Sequence, residues 1–267
     1  MTTMHEQKQE SPPTSILSKA FDVLGAFGPD HRVLTLTEIA CASGLPKSTV
    51  HRLLGRLTEL GVIEPHCAGF KVGLPLRRFA SAMPIESLRQ SALPHLGALH
   101  HWSRRHVHMA TLRGERVVFV ERMMVPGHEL PSADPGTDLP AHATALGKAL
   151  LAFAPPDEVD SALAGPLHAV APNTITDAAE FRAELAEVQR NRFAGARGES
   201  HPDVCCLAAP VLIRGRAVGA LSVSSTAGER NSDRALIDAV RVTADRIATD
   251  NAKVLADGHE DWFPGRL

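Results

Sequence analysis

No apolar run in this chain approaches the roughly 18 residues that would span a bilayer, so a membrane span is excluded. The first residues, MTTMHEQKQESPPTS, lack the apolar stretch of a secretory signal. There are four cysteines, Cys41, Cys67, Cys205 and Cys206, and none has C-x-x-C spacing. They suggest neither a disulfide framework nor a thiolate metal site. A Gly-rich phosphate loop, a nucleophile elbow and a metalloprotease motif are also missing, which argues against an enzyme. The chain has no tyrosine, an absence that excludes nothing by itself. Together these absences point to a cytoplasmic protein with no cofactor.

At 267 residues and 44% apolar content the chain suits about two domains with real cores. The net charge of −2 rules out a polycation. The balance is uneven, though: residues 1–84 hold 9 Lys/Arg and 7 Asp/Glu, and the rest holds 19 and 23. Between Lys47 and Arg78 stand Lys47, Arg52, Arg56, Lys71, Arg77 and Arg78 against Glu59 and Glu64 alone. Positive charge is concentrated where an anionic partner would sit.

That region contains TLTEIACASGLPKSTVHRLLGRLTELG, Thr35 to Gly61. Thr35 and Glu38 form a T-x-x-E capping box, and Gly44 can end the helix it starts. Pro46 fits the first turn of a second helix, which Gly61 ends. At about 100° per residue, Val50, Leu53, Leu54, Leu57 and Leu60 share one face of that helix. Ser48, His51, Arg52, Gly55, Arg56 and Glu59 lie opposite, with Lys47 and Thr49 on the flanks. Hydroxyls, an imidazole and guanidinium groups on an outward face can read base edges. A helix-turn-helix inserts its second helix in this way. Strand–turn–strand signals follow, through Pro65 to Gly69 and on to Gly73, and read as the wing of a winged helix-turn-helix. Lys71 on that wing suits a phosphate contact. The DNA-binding candidates are therefore Lys47, Ser48, Thr49, His51, Arg52, Arg56 and Lys71, with double-stranded DNA as partner.

Residues 1–14 read as a disordered tail and 15–75 as the winged domain, whose first helix carries Ile16, Ala20, Val23, Leu24 and Phe27 at helical spacing. A linker helix at 76–84 ends at Pro84. Residues 85–257 form the second domain, and 258–267 a C-terminal tail. In the second domain, 85–105 is helical, with Pro94 as a restart or kink. His106–Leu112 and Val117–Arg122 read as one hairpin, and Leu207–Ile213 and Val218–Ser224 as another. A short strand at His128–Leu130, a helix over Ala141–Phe153, helices near 156–164 and 177–192, and a last helix capped by Asn231 complete the reading. The class is α+β, with the two hairpins pairing in one antiparallel sheet.

On these segments the chain resembles the isocitrate-lyase-regulator (IclR) family of bacterial transcription factors. The resemblance rests on LTEIACASGLPKSTVHRLLGRLTELGVIE, on LPAHATALGKALLA at 139–152 and on CLAAPVLIRGRAVGALSVSS at 206–225. It implies an N-terminal winged helix-turn-helix, a C-terminal GAF-like effector-binding domain, a small-molecule effector, and homodimers or homotetramers on palindromic operators. By position it implies effector contacts at Ala143, Thr144, Leu146, Gly147, Cys206, Ser222 and Ser224. In a strand, Ser222 and Ser224 share one side of the sheet. The family's acidic run is replaced by Gly195-Ala196-Arg197-Gly198-Glu199, with an arginine in its midst. An arginine fork matches a carboxylate, so Arg197 is expected to hold a small organic acid, with Val118 and Val120 among its apolar walls. Repression and activation both remain open. Two other readings compete. One is a DNA-binding protein whose second domain only oligomerises. The other is a metal-dependent enzyme using His100, His101, His106 and His108, for which no carboxylate stands nearby in sequence.

Overall fold

The computed structural model describes residues 15–28, 30–127, 133–226 and 233–256. The chain divides into two compact units, residues 1–83 and 84–267.

The first unit carries α1 (Ile16–Leu24), β1 (Val33–Leu34), α2 (Leu36–Ser43), α3 (Lys47–Glu59), β2 (Ile63–His66), β3 (Gly69–Val72) and α4 (Arg77–Ser81). The capping box that starts α2 is present. The Thr35 N–H donates to Glu38 Oε2 at 2.7 Å and the Glu38 N–H donates to Thr35 Oγ1 at 3.3 Å. Gly44 ends α2 at φ 67 and Gly61 leaves α3 at φ 70, left-handed conformations that cost glycine little. Pro46 caps α3 rather than entering its first turn. Val50, Leu53, Leu54 and Leu57 bury against Val23, Ile39 and Ile63. Leu60, expected on that same face, is 73% exposed because the helix ends before it. Ile16 lies on the outer side of α1 and is likewise exposed. The wing is a three-stranded sheet in the order β1-β3-β2, with Glu64 opposite Lys71.

The second unit opens with α5 (Ile85–Ser103), which runs through Pro94 as one helix. Then come β4 (His106–Arg113), β5 (Arg116–Met123), β6 (Asp138–Pro140), α6 (Ala145–Leu151), α7 (Pro156–Ala162), α8 (Ala178–Asn191), β7 (Ala194–Arg197), β8 (Val204–Ile213), β9 (Arg216–Thr226) and α9 (Arg234–Ala256). The strands form one antiparallel sheet in the order β6-β5-β4-β9-β8-β7. The two expected hairpins lie side by side at its centre, joined through β4 and β9. Two edge strands, β6 and β7, were not expected from the sequence. The expected strand at His128–Leu130 and the expected cap at Asn231 lie outside the described residues.

Strand alternation divides the core. Val107, Met109, Leu207, Ala209, Val211, Leu221 and Val223 face α5 and α9. Ala110, Val117, Phe119, Ala194, Ala196, Ala208 and Ala220 face α6 and α8. Small residues dominate this second face because α6 lies close on it. Every residue of α6 is buried, since α8 covers it from outside through Phe181, Leu185 and Val188. The helix expected over Ala141–Phe153 is broken at Thr144 instead. A single 3₁₀ turn at Ala141–Ala143 precedes it, and Thr144 Oγ1 accepts the Gly147 N–H at 2.9 Å.

A side chain at position 147 has no room, because its Cβ would overlap the Ala141 carbonyl. Gly147→Ala should therefore cost about 1–3 kcal/mol or more through overpacking. Gly55→Ala, on the open face of α3 with nothing within 4 Å of the added methyl, should gain up to about 1 kcal/mol from helix propensity. Urea unfolding of the two variants checks the opposed signs.

Candidate functional site

The outward face of α3, the candidate for DNA contact, is built by the geometry of its buried side. With Val50, Leu53, Leu54 and Leu57 fixed in the core, Lys47, Ser48, His51, Arg52 and Arg56 are left exposed and Thr49 half-buried. The basic groups differ in how free they are. Arg56 is bound to Glu59 at 2.6 Å, and Lys71 to Glu64 across the wing at 3.1 Å. Both pairs are exposed, so a phosphate can displace the carboxylates at little cost. Arg52 makes no ion pair among the described residues.

In the second unit, register assembles the site. Two ribs of side chains cross the face of the sheet that carries α6. One reads Ala196, Cys206, Ser224, His106, and the other Ala194, Ala208, Ser222, His108, Arg122. His106, His108, Ser222 and Ser224 are buried polar residues. Ser224 Oγ lies 3.1 Å from Cys206 Sγ and 3.4 Å from His108 Nδ1. The Val125 N–H donates to His106 Nδ1 at 3.3 Å, so the neutral ring carries its proton on Nε2. The His108 ring stands edge-on to Phe119, with centroids 5.8 Å apart. On the same rib Arg122 is bound to Asp134 at 2.6 Å.

Two groups of this cluster, the His108 ring and the Cys206 thiol, are held uncharged at pH 7. Burial, then the charges of His106 and Arg122, push His108 down to about 4, so the ring is uncharged at pH 7. Burial pushes the Cys206 thiol up to about 11, so it stays protonated and inert. The site therefore offers hydroxyl, thiol and imidazole hydrogen-bonding groups around one neutralised guanidinium. In the sequence His106 and His108 stand out only as part of the cluster with His100 and His101, and the structure buries both on β4. The strand alternation that places them inside becomes visible only once β4 is known to be central. Among the described residues no group of three or more His, Cys, Asp or Glu is arranged to hold a metal.

Three expected effector residues fall elsewhere. Arg197 lies on edge strand β7 opposite Cys205, in the row facing away from α6, and its side chain is exposed. Its neighbour Ala196 takes the inward position, so the Arg197 side chain lies on the face opposite Ser222 and Ser224. Val118 alternates with Val117 and Phe119, both turned to α6, and so points to the other face. Val120 sits in a bulge where Ala110 pairs with Phe119 but Met109 pairs with Glu121, and it joins neither apolar cluster. Ala143, Thr144, Leu146 and Gly147 are buried at the start of α6, beside the ribs.

Lys148 and Glu199, by contrast, were not singled out in the sequence. Lys148 is 1% exposed. Its ammonium donates to Glu199 Oε1 at 2.8 Å, to Glu184 Oε1 at 3.1 Å and to the Gly195 carbonyl at 3.1 Å. Burial raises the Glu199 carboxyl above its ordinary range while Lys148 pulls it back. The pair ties α6 to α8, to β7 and to the segment after β7. A lysine between two glycine- and alanine-rich stretches was the available signal.

Residues 81–249 match the family model described as the bacterial transcriptional regulator IclR C-terminal domain, and residues 16–66 match the IclR helix-turn-helix domain. The HTH-type transcriptional regulator BhcR of Paracoccus denitrificans is 32% identical over 81% of this chain and 79% of its own length. The regulator XynR of Escherichia coli is 28% identical over 80% of this chain and 87% of its own. The crystal structure of an IclR homolog of Microbacterium hydrocarbonoxydans complexed with 4-hydroxybenzoate superposes with TM-score 0.77 at 30% identity, covering 90% of this chain and 100% of that one.

The His108 shift has a sign that can be measured. The unfolded chain protonates this ring near 6.5 and the folded chain only near about 4. Stability held by the neutral ring is thus complete above pH 6.5 and is lost as pH falls through that window. The loss should reach about 3 kcal/mol at most. His108→Gln should flatten that stretch of the urea-midpoint profile. A profile left unchanged would assign the acid sensitivity to other groups.

Proposed function

The chain belongs to the IclR family of bacterial transcriptional regulators, with a DNA-binding helix-turn-helix and an effector-binding C-terminal domain, and on that premise we propose that a small organic acid, bound in the second unit, controls its occupancy of a palindromic operator. The observation that carries the effector reading is the burial of two serines and two histidines on one face of the sheet, with the half-buried Cys206 bound to Ser224. Buried polar groups without a structural ladder to complete are suited to orienting a ligand. The solved relative with 4-hydroxybenzoate supports an aromatic acid. Its hydroxyl and ring would meet Ser222, Ser224 and Phe119, and its carboxylate Arg122, the guanidinium on the same face.

On the DNA side, Lys47, Ser48, Thr49, His51 and Arg52 would reach base edges, and Arg56 and Lys71 the phosphates. One winged unit reads one half-site, so a symmetric operator requires a homodimer or homotetramer. An effector that binds one arrangement of the winged units better than another shifts their populations. A coupling of about 1–3 kcal/mol changes operator occupancy many-fold. The protein would act in the cytoplasm, where the operator is.

Two tests address the two halves. Arg52→Ala should weaken operator binding by roughly 1–3 kcal/mol, and unequally across operator variants. Lys71→Ala should weaken it uniformly and lower the salt slope by about one. Equal, sequence-blind losses from both would remove Arg52 from the base contacts. For the effector, calorimetric titration of aromatic acids, 4-hydroxybenzoate included, should show that Ser222→Ala with Ser224→Ala loses roughly ten-fold or more in affinity. Arg197→Ala should bind as wild type does. A loss on Arg197→Ala comparable to that of the serine variant would move the site to the other face of the sheet.

A further inference from the structure

At the end of the sheet that carries its hairpin turns, away from Ser222 and Ser224, two central strands separate. The β4–β9 ladder stops at Ala110 opposite Ala220, yet β4 continues to Arg113 and β9 begins at Arg216. Beyond that pair each strand is laddered only to its outer neighbour, β4 to β5 and β9 to β8. The wedge between them is closed by the end of α6 and by α7, leaving a cavity of ≈ 350 Å³. That volume suits a small molecule of about ten heavy atoms, at the lower end of ligand pockets.

Its lining is divided by chemistry. Leu112, Leu150, Phe153 and Ala217 form an apolar floor continuous with the core around α6. Arg113 and Arg216 stand at the rim. Arg216 is bound to Glu158 at 3.2 Å. Arg113 is exposed and makes no ion pair among the described residues, and its cross-strand neighbour Arg116 is already bound to Asp138. The residues that line the cavity thus include two guanidiniums and one carboxylate, that of Glu158, above the apolar floor.

We propose that this cavity is a second ligand site, for a medium-chain monocarboxylate whose tail lies on the floor while its carboxylate bridges Arg113 and Arg216. It is separate from the effector site proposed above and does not depend on it. A fork-shaped guanidinium holds a carboxylate by two parallel hydrogen bonds. The backbone edges that β4 and β9 turn toward each other supply further polar groups along the wedge. A ligand there would bridge the two central strands at their free ends, on the sheet that also carries the serine and histidine ribs.

The test uses the full-length protein with octanoate as probe, followed by calorimetry and by methyl NMR of leucine and valine. Octanoate should shift the Leu112 and Leu150 methyls saturably, in wild type and in the Ser222→Ala, Ser224→Ala variant alike. Arg113→Ala, a surface change that leaves the core intact, should weaken binding roughly ten-fold or more, as expected for loss of a charge-assisted pair. Ala217→Phe should fill the floor and abolish it, and octanol should bind much more weakly than octanoate. Shifts confined to the neighbourhood of Ser222, no shifts at millimolar octanoate, or equal binding by Arg113→Ala would each overturn the proposal.

Discussion

Helix α6 has no exposed side, and the second unit depends on how that is made tolerable. A helix between a sheet and another helix must approach closely on both flanks. Gly147 removes the Cβ that would strike the Ala141 carbonyl, and Ala145 and Ala149 keep the other contacts short. Lys148, at the one position where a polar group enters this layer, must find partners or be expelled. An unpaired buried ammonium costs several kcal/mol. Glu199, Glu184 and the Gly195 carbonyl supply them from three different elements. The charge cluster therefore specifies where α8, β7 and the segment after β7 must lie, whatever it adds to net stability.

The position of α6 in turn decides what the sheet can offer a ligand. Its face carries alanines where α6 presses against it: Ala110, Ala208 and Ala220. Larger polar side chains stand where the start of α6, at Thr144, leaves the ribs of His106, His108, Ser222 and Ser224. The same crowding removes water, which keeps His108 unprotonated and Cys206 a thiol. Burial, aided by the charges of His106 and Arg122, thus leaves a hydrogen-bonding His108 ring on this face, and Asp134 holds the Arg122 guanidinium beside it. The winged unit follows a simpler rule. Its small core fixes one face of α3 and leaves the opposite face, with Lys47, Ser48, His51, Arg52 and Arg56, exposed.

The sequence determined the class, the two units and the outward face of α3, because each rests on local periodicity. Capping at Thr35, the left-handed turn at Gly44 and the 3.6-residue spacing from Val50 to Leu57 involve contacts within a few residues. The two central hairpins were legible for the same reason. So was the match to the regulator family, which rests on contiguous segments. What the tertiary structure alone decided was which face of the sheet each side chain meets. Arg197 and Ala196 differ by one position, and a one-residue change of register exchanges inside for outside. No local pattern marks the short edge strand β7, so Arg197 read as a loop residue free to bend inward. Val118 is turned away by the same alternation, lying between Val117 and Phe119, and Val120 sits in a β-bulge. Lys148 and Glu199 stand 51 residues apart in the chain, and only the closing of α6 over the sheet turns a lysine and a lone acid into the pair that holds the domain together.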